Sequence, residues 1–294
     1  MKGRRAAKTT ARPAKRAFRS QKRSALEWTE RIYKLTARGR EVPPKKGLGK
    51  TMQDTRPEDA GIADRLSQSA LHRRTMVDCQ IRTFDVTDQP LLARMLEVPR
   101  EHFLPGELAP LAYSDIGLQL KPAGPGGERR TLLPPLVLAR LIQAAGVVST
   151  DTVLDVGAAT GYSSAILAGL AGRVVALESE RSLSNALRSN LDAFGLAKVQ
   201  TVLAPLAGGA PKEAPFDLIF INGAVEANLE ALFAQLKEGG RLVALKRLPG
   251  DPTGRAGKAV RYDKIDGGKG YRVLFDAFAP VLEAFRQDAQ FTFL

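Results

Sequence analysis

The chain has 294 residues and a formal net charge of +13, spread very unevenly. The first fifty residues hold 17 Lys/Arg against three acids, a net of +14, so the remainder carries −1 and the high pI is no argument for nucleic-acid binding by the body of the chain. One cysteine, Cys79, excludes an internal disulfide or a cysteine metal cluster, and two histidines, His72 and His102, are too few for a His-rich metal site.

No apolar run approaches the roughly 20 residues that span a bilayer, and the first residues lack the apolar core of a secretory signal, which points to a cytoplasmic protein. Residues 1–23 are Lys/Arg/Ala-rich and read as disordered. Ser24 and Glu27 have capping-box spacing ahead of Leu26, Trp28, Ile32, Tyr33 and Leu35, which predicts a short basic helix over 24–38. Pro43-Pro44 and Gly47-Leu48-Gly49 then mark a linker to residue 61. The basic segment reads as a site for an anionic partner (nucleic acid or membrane surface), as an organelle-type address, or as an extension without a specific role. Met52 is a reasonable alternative start.

A globular pattern begins at Ile62, with a helix predicted over 62–83. Asp88 is placed to cap a second helix over 90–96, and Pro134–Ala145 reads as a helix with proline near its start. Strands and helices then alternate: strand 152–156, helix 162–170, strand 173–178, helix 181–193, strands 198–203 and 217–221, helix 226–237 and strand 241–245. Such alternation argues a doubly wound, mostly parallel α/β sheet with helices on both faces. Strands at 258–263 and 271–275 would give it an antiparallel C-terminal edge.

The stretch Thr152 to Tyr162 carries the chemistry. An apolar strand ends in an acid, Asp155, followed by the small-residue turn Gly157-Ala158-Ala159-Thr160-Gly161 and a helix start. A second strand, Val174-Val175-Ala176-Leu177, ends in Glu178, where a carboxylate can accept hydrogen bonds from a ribose diol. A dinucleotide turn needs Gly-x-Gly-x-x-Gly, whereas here Gly157 and Gly161 are four apart and Asp155 would repel a pyrophosphate. The same acid suits a ligand carrying an ammonium and a sulfonium. Ala159 sits at the usual middle glycine and preserves close approach if its φ is negative.

This turn resembles the first motif of S-adenosylmethionine-dependent methyltransferases. Upstream lie Met76-Val77-Asp78-Cys79-Gln80-Ile81, Val98-Pro99-Arg100-Glu101-His102-Phe103-Leu104-Pro105 and Ala112-Tyr113-Ser114-Asp115. In that order they resemble the N-terminal part of protein-L-isoaspartate O-methyltransferases. The resemblance covers about residue 64 to the C-terminus. It implies a Rossmann-like methyltransferase domain over 62–294, with a helical N-terminal lid and substrate region at 62–135 and the cofactor-binding sheet at 136–294. It also implies S-adenosylmethionine as methyl donor, a monomer, and the α-carboxylate of isoaspartyl residues in damaged proteins as acceptor. The cofactor residues it implies are Asp155, Gly157, Ala159, Gly161, Tyr162, Glu178, Leu206 and Asn222.

The acceptor side departs from the family. Its Gly-Gln-Thr-Ile-Ser-x-Pro becomes Arg129-Arg130-Thr131-Leu132-Leu133-Pro134-Pro135, with arginine for glutamine and leucine for serine. Its Gly-Asp-Gly and Val-Gly-Ala-Ala-Ala become Ala204-Pro205-Leu206 and Ile221-Asn222-Gly223-Ala224-Val225. Arg130 and Thr131 are the catalytic candidates. The two arginines can meet a substrate carboxylate or form a solvated loop pair; Thr131 can meet the substrate or cap the next helix. Tyr113 and Asp115 read equally as lid or as packing residues, and His102 as packing. A different acceptor, or a cofactor-binding scaffold whose basic tail holds an anionic partner, are the alternatives.

Overall fold

The structure is a computed structural model and describes residues 67–121, 129–248 and 256–287. The basic segment, the helix expected over 24–38, the linker and the first residues of the helix expected over 62–83 lie outside the described residues.

A helix, α1 (67–75), runs into a π-helical turn, Met76–Ile81, and a 3-10 turn, Arg82–Phe84, which ends on Asp85 in the left-handed region. Helix α2 (Gln89–Glu97) starts where Asp88 predicts it, with the Asp88 carboxylate accepting from Leu91 N at 3.0 Å. Strands β1 (Leu118–Lys121) and β2 (Arg130–Leu132) pair antiparallel, Gln119 opposite Thr131 and Leu118 opposite Leu132. Helix α3 (Pro135–Ala145) follows and ends on Gly146 at φ +59°.

The main sheet contains β3 (Thr152–Val156), β4 (Arg173–Glu178), β5 (Gln200–Leu203), β6 (Phe216–Val225), β7 (Leu236–Arg247), β8 (Gly257–Ile265) and β9 (Gly268–Asp276). Its order is β5-β4-β3-β6-β7-β8-β9, parallel up to β7 and antiparallel at β8 and β9. Consecutive residues along β3, β4 and β6 are buried, because helices cover both faces and no face is left for polar alternation. Leu154 lies beside Val175 on one side and Ile219 on the other, and all three are without exposed surface. Burying each such side chain stabilises the sheet by about 1.5–3 kcal/mol.

Between the strands, α4 (Tyr162–Leu167) and α5 (Arg181–Ala193) follow β3 and β4. Leu183, Leu187 and Leu191 give α5 one apolar stripe. Helix α4 stops three residues before its predicted end, in a turn where Leu170 N and Ala171 N both donate to Leu167 O. There Arg94 of α2 crosses to donate to Ala165 O at 2.8 Å, and its guanidinium fills the space a side chain at Gly169 would need.

The helix expected over 226–237 is only α6 (Glu230–Ala234). Glu226 N and Ala227 N donate to Phe285 O in the returning C-terminal segment, and Asn228 takes φ +63°. At the other end, Leu236 already pairs with Phe216 as the start of β7. Tertiary contacts thus claim both ends of an otherwise helical run. A buried ion pair, Arg241 with Asp151 at 2.6 Å, fixes α3 to the sheet, since Arg241 also donates to the terminal carbonyls of Ala145 and Gly146. Among the described residues, no helix is long and apolar enough to cross a membrane.

Candidate cofactor site

The turn after β3 is held by the end of β4. Gly157 N and Ala158 N both donate to Leu177 O, at 2.9 and 3.1 Å, and Ala159 N donates to the Glu178 carboxylate at 2.9 Å. Gly157, Ala159 and Gly161 all have positive φ, +68°, +53° and +100°. The condition of a negative φ at Ala159 is not met: the residue sits in the left-handed region, at a penalty of roughly 1–2 kcal/mol for a side chain with Cβ. Its hydrogen bond to Glu178 helps to hold it there. At Gly161 a Cβ would stand 2.7 Å from Leu187 Cδ1, so the turn can approach α5 only as glycine.

Asp155 has no exposed surface. Ser163 and Ser164 donate to its Oδ2 at 2.8 and 2.6 Å, and Asn222 Nδ2 donates to Oδ1 at 2.6 Å. Burial pushes its carboxyl up to about 6, against the pull of those three donors and with help from the nearby Glu178 charge. The sequence suggests Asp155 faces a cationic ligand. The structure instead turns both oxygens to neighbouring side chains, so Asp155 ties β3, α4 and β6 together beneath the turn. Asn222 also reaches Val156 O at 3.3 Å, which brings the ends of β3 and β6 into register.

Leu206 is fully buried in a 3-10 turn, Leu206–Gly208. A Cβ at Gly157 would lie 3.7 Å from Leu206 Cδ1 and 3.5 Å from Leu282 Cδ1. Leu282, also 2.7 Å from where a Gly223 Cβ would stand, is a residue the sequence does not reveal. It arrives from the C-terminal segment, where Leu282 N donates to Ala224 O. Tyr162, expected on the cofactor, is buried among lid residues: Arg100 lies over its ring at 4.9 Å and Phe103 meets its edge at 5.6 Å.

The lid is pinned to the turn by Thr160, whose hydroxyl donates to Phe103 O at 2.6 Å, while Asn190 of α5 donates to Thr160 O. His102 packs edge-on against Phe103 and Phe194, the packing role its sequence context suggests, and burial holds its pKa below the usual value. Tyr113 donates its hydroxyl to Glu101, and Asp115 accepts from Leu136 N at 3.0 Å, capping the first turn of α3. That cap displaces the one suggested for Thr131, which lies in β2 opposite Gln119 with Cγ2 3.2 Å from the Cβ position of Gly117. Leu133 is buried, and only its carbonyl makes a polar contact here, accepting from Arg100 at 2.7 Å.

Arg130 is not part of a solvated loop pair. It is 1% exposed, and its guanidinium is on Glu178, itself without exposed surface. Nε lies 3.1 and 3.2 Å from the two carboxylate oxygens, and Nη2 is 3.0 Å from Oε1 and 2.7 Å from Ser179 Oγ. Ser179 N and Glu180 N add hydrogen bonds to Oε1 at 2.8 and 3.1 Å. Arg129 beside it is exposed. Among the described residues there is no His/Cys/Asp/Glu group that could hold a metal ion.

A small-residue turn between β3 and α4, an acid closing β4 and an amide on β6 define an S-adenosylmethionine-dependent methyltransferase on a Rossmann-like sheet. The profile of the protein-L-isoaspartate(D-aspartate) O-methyltransferase family matches residues 72–272, and the chain belongs to that family. It is 36% identical over 178 residues to the protein-L-isoaspartate O-methyltransferase of Koribacter versatilis, covering 60% of this chain and 78% of that protein. A solved protein-L-isoaspartate O-methyltransferase superposes with a TM-score of 0.62 at 26% identity, covering 72% of this chain and 67% of the other. A Plasmodium falciparum chain solved with S-adenosyl-L-homocysteine shares the fold, with a TM-score of 0.57 at 18% identity over 72% of this chain and 98% of that one.

Proposed function

We propose that the protein transfers a methyl group from S-adenosylmethionine to the α-carboxylate of L-isoaspartyl residues in damaged proteins. The observation that carries this reading is the family match from 72 to 272, which takes in both the lid segments and the cofactor turn.

The residues fit the cofactor. Gly157 presents backbone at φ +68° where a side chain would meet Leu206 and Leu282, and Glu178 offers an acceptor-only carboxylate to hydroxyl donors. Gly157, Ala159, Gly161, Leu206, Asn222 and Glu178 would hold it, with Asp155 supporting that set from beneath and Tyr162 from α4, packed against the lid. The cofactor supplies a methyl group activated by a sulfonium.

The acceptor carboxylate is ionised at neutral pH and needs no general base. The chain's task is then alignment and exclusion of water. The lid contributes by the Thr160 contact to Phe103 and by packing the Phe103 ring against the buried Phe194 and Tyr162 rings. Thr131 keeps a hydroxyl in the stretch where Leu133 replaces the family serine, and we assign it to the acceptor. The ester carbonyl then carries methoxide as its leaving group, so the neighbouring backbone amide nitrogen can close on it with loss of methanol, and water can reopen the succinimide as aspartate.

Incubation with labelled S-adenosylmethionine and an isoaspartyl peptide should give a base-labile methyl ester, absent with the aspartyl control. Cofactor binding without that ester would reject isoaspartyl transfer. It would favour the second reading, another carboxylate acceptor, for which the apolar Leu133 is the specific observation. We further propose a cytoplasmic monomer with the domain at 62–294. Residues 1–51 would serve an anionic partner, tested by salt-sensitive binding that is lost when they are deleted.

A further inference from the structure

We propose that Arg130 is a latch on the nucleoside subsite: its guanidinium competes with the cofactor's ribose hydroxyls for the Glu178 carboxylate. The proposal rests on the cofactor reading above and not on the identity of the acceptor.

A carboxylate has about four lone-pair positions. On Glu178 these meet Ala159 N, Ser179 N, Glu180 N and two nitrogens of Arg130. No acceptor capacity is left for a diol. Both side chains are at most 1% exposed, so water does not mediate between them. The three backbone donors belong to the turn and to the residues that follow β4, and they can stay when a ligand arrives. Arg130 is the one donor that comes from elsewhere, 48 residues away on the β1–β2 hairpin. Its hold on Glu178 is therefore the contact a ribose must replace. Cofactor entry then requires the guanidinium to leave a buried carboxylate, a step that the diol's own donors offset.

The fork geometry matters as much as the charge. Nε and Nη2 grip Oε1 together while Nη2 also takes Ser179 Oγ, an arrangement that a lysine ammonium cannot reproduce. A glutamine is neutral and a weaker competitor than an arginine for the same oxygens.

The test is calorimetric binding of S-adenosylhomocysteine to the full chain and to Arg130→Gln and Arg130→Lys. Arg130→Gln should bind it about tenfold more tightly or better, the factor that corresponds to one charged hydrogen bond, with Arg130→Lys in between. The gain should appear with adenosine and vanish with 2′,3′-dideoxyadenosine, which lacks the competing hydroxyls. In Arg130→Ala, guanidinium ion well below denaturing concentration should weaken adenosine binding again. Equal or weaker binding by a folded Arg130→Gln, or a gain that survives loss of the diol, overturns the latch. If Arg130→Gln does not fold, Arg130→Lys decides by the same comparison. No binding by any form overturns the latch and the cofactor reading together. Binding as expected without isoaspartyl methylation leaves the latch standing and removes only the acceptor assignment.

Discussion

Replace Asp155 with asparagine and follow the free energy of unfolding between pH 4 and pH 8. In the folded chain burial pushes the Asp155 carboxyl up to about 6 from its ordinary 3.8. A carboxyl whose folded pKa is raised contributes stability that is fully present below about 3.8, where both states are protonated. As pH rises towards 6 the unfolded chain releases its proton first, and the folded state falls behind. At ~1.36 kcal/mol per pH unit, the gap amounts to about 3 kcal/mol lost by pH 7. Asparagine cannot titrate, so its stability relative to wild type should rise by about that much across the window, while carboxyls remote from Asp155 cancel in the difference. Urea unfolding at half-unit intervals measures it. A wild-type-minus-variant difference that is the same at pH 4 and pH 7 would refute the account of Asp155 as a desolvated acid. The absolute offset has another origin: an amide at 155 can set its NH2 against Asn222 Nδ2, and the exchange Asp155→Asn with Asn222→Asp should recover that part.

The remaining predictions concern the turn and the lid. Ala159→Gly relieves a left-handed alanine and should raise stability by about 1 kcal/mol in thermal unfolding, with S-adenosylhomocysteine affinity retained. Gly161→Ala places a Cβ against Leu187 at φ +100° and should cost about 2–3 kcal/mol; no change in the denaturation midpoint would contradict the described turn. Asp115→Ala leaves Leu136 N without its acceptor and should cost about 1 kcal/mol, read by unfolding and by faster amide exchange in the first turn of α3.

Much of the sheet was legible because its strands are covered on both faces. The runs at 152–156 and 173–178 are apolar almost throughout, and Asp88 announces its helix by side-chain chemistry alone. The Asp155–Gly161 turn and Glu178 were legible by spacing. What the sequence hid are pairings between distant positions. Asp155 and Asn222 are 67 residues apart, Arg130 and Glu178 are 48 apart, and neither spacing carries a period. The strands β1 and β2 are four and three residues long, too short for alternation to show. The stretch 226–237 looks helical by composition, yet its first N–H groups serve Phe285 and its last residues begin β7.

Arg94 has a consequence for how this chain can diverge. Its guanidinium occupies the volume a side chain at Gly169 would require, so the two positions share one allotment of space. A mutation of Gly169 alone forces Arg94 off Ala165 O and loosens α2 from α4. A shorter residue at 94 would have to come first, and only then would 169 be free to drift. Substitution order at this contact should therefore be directional, with glycine at 169 outlasting the long side chain at 94.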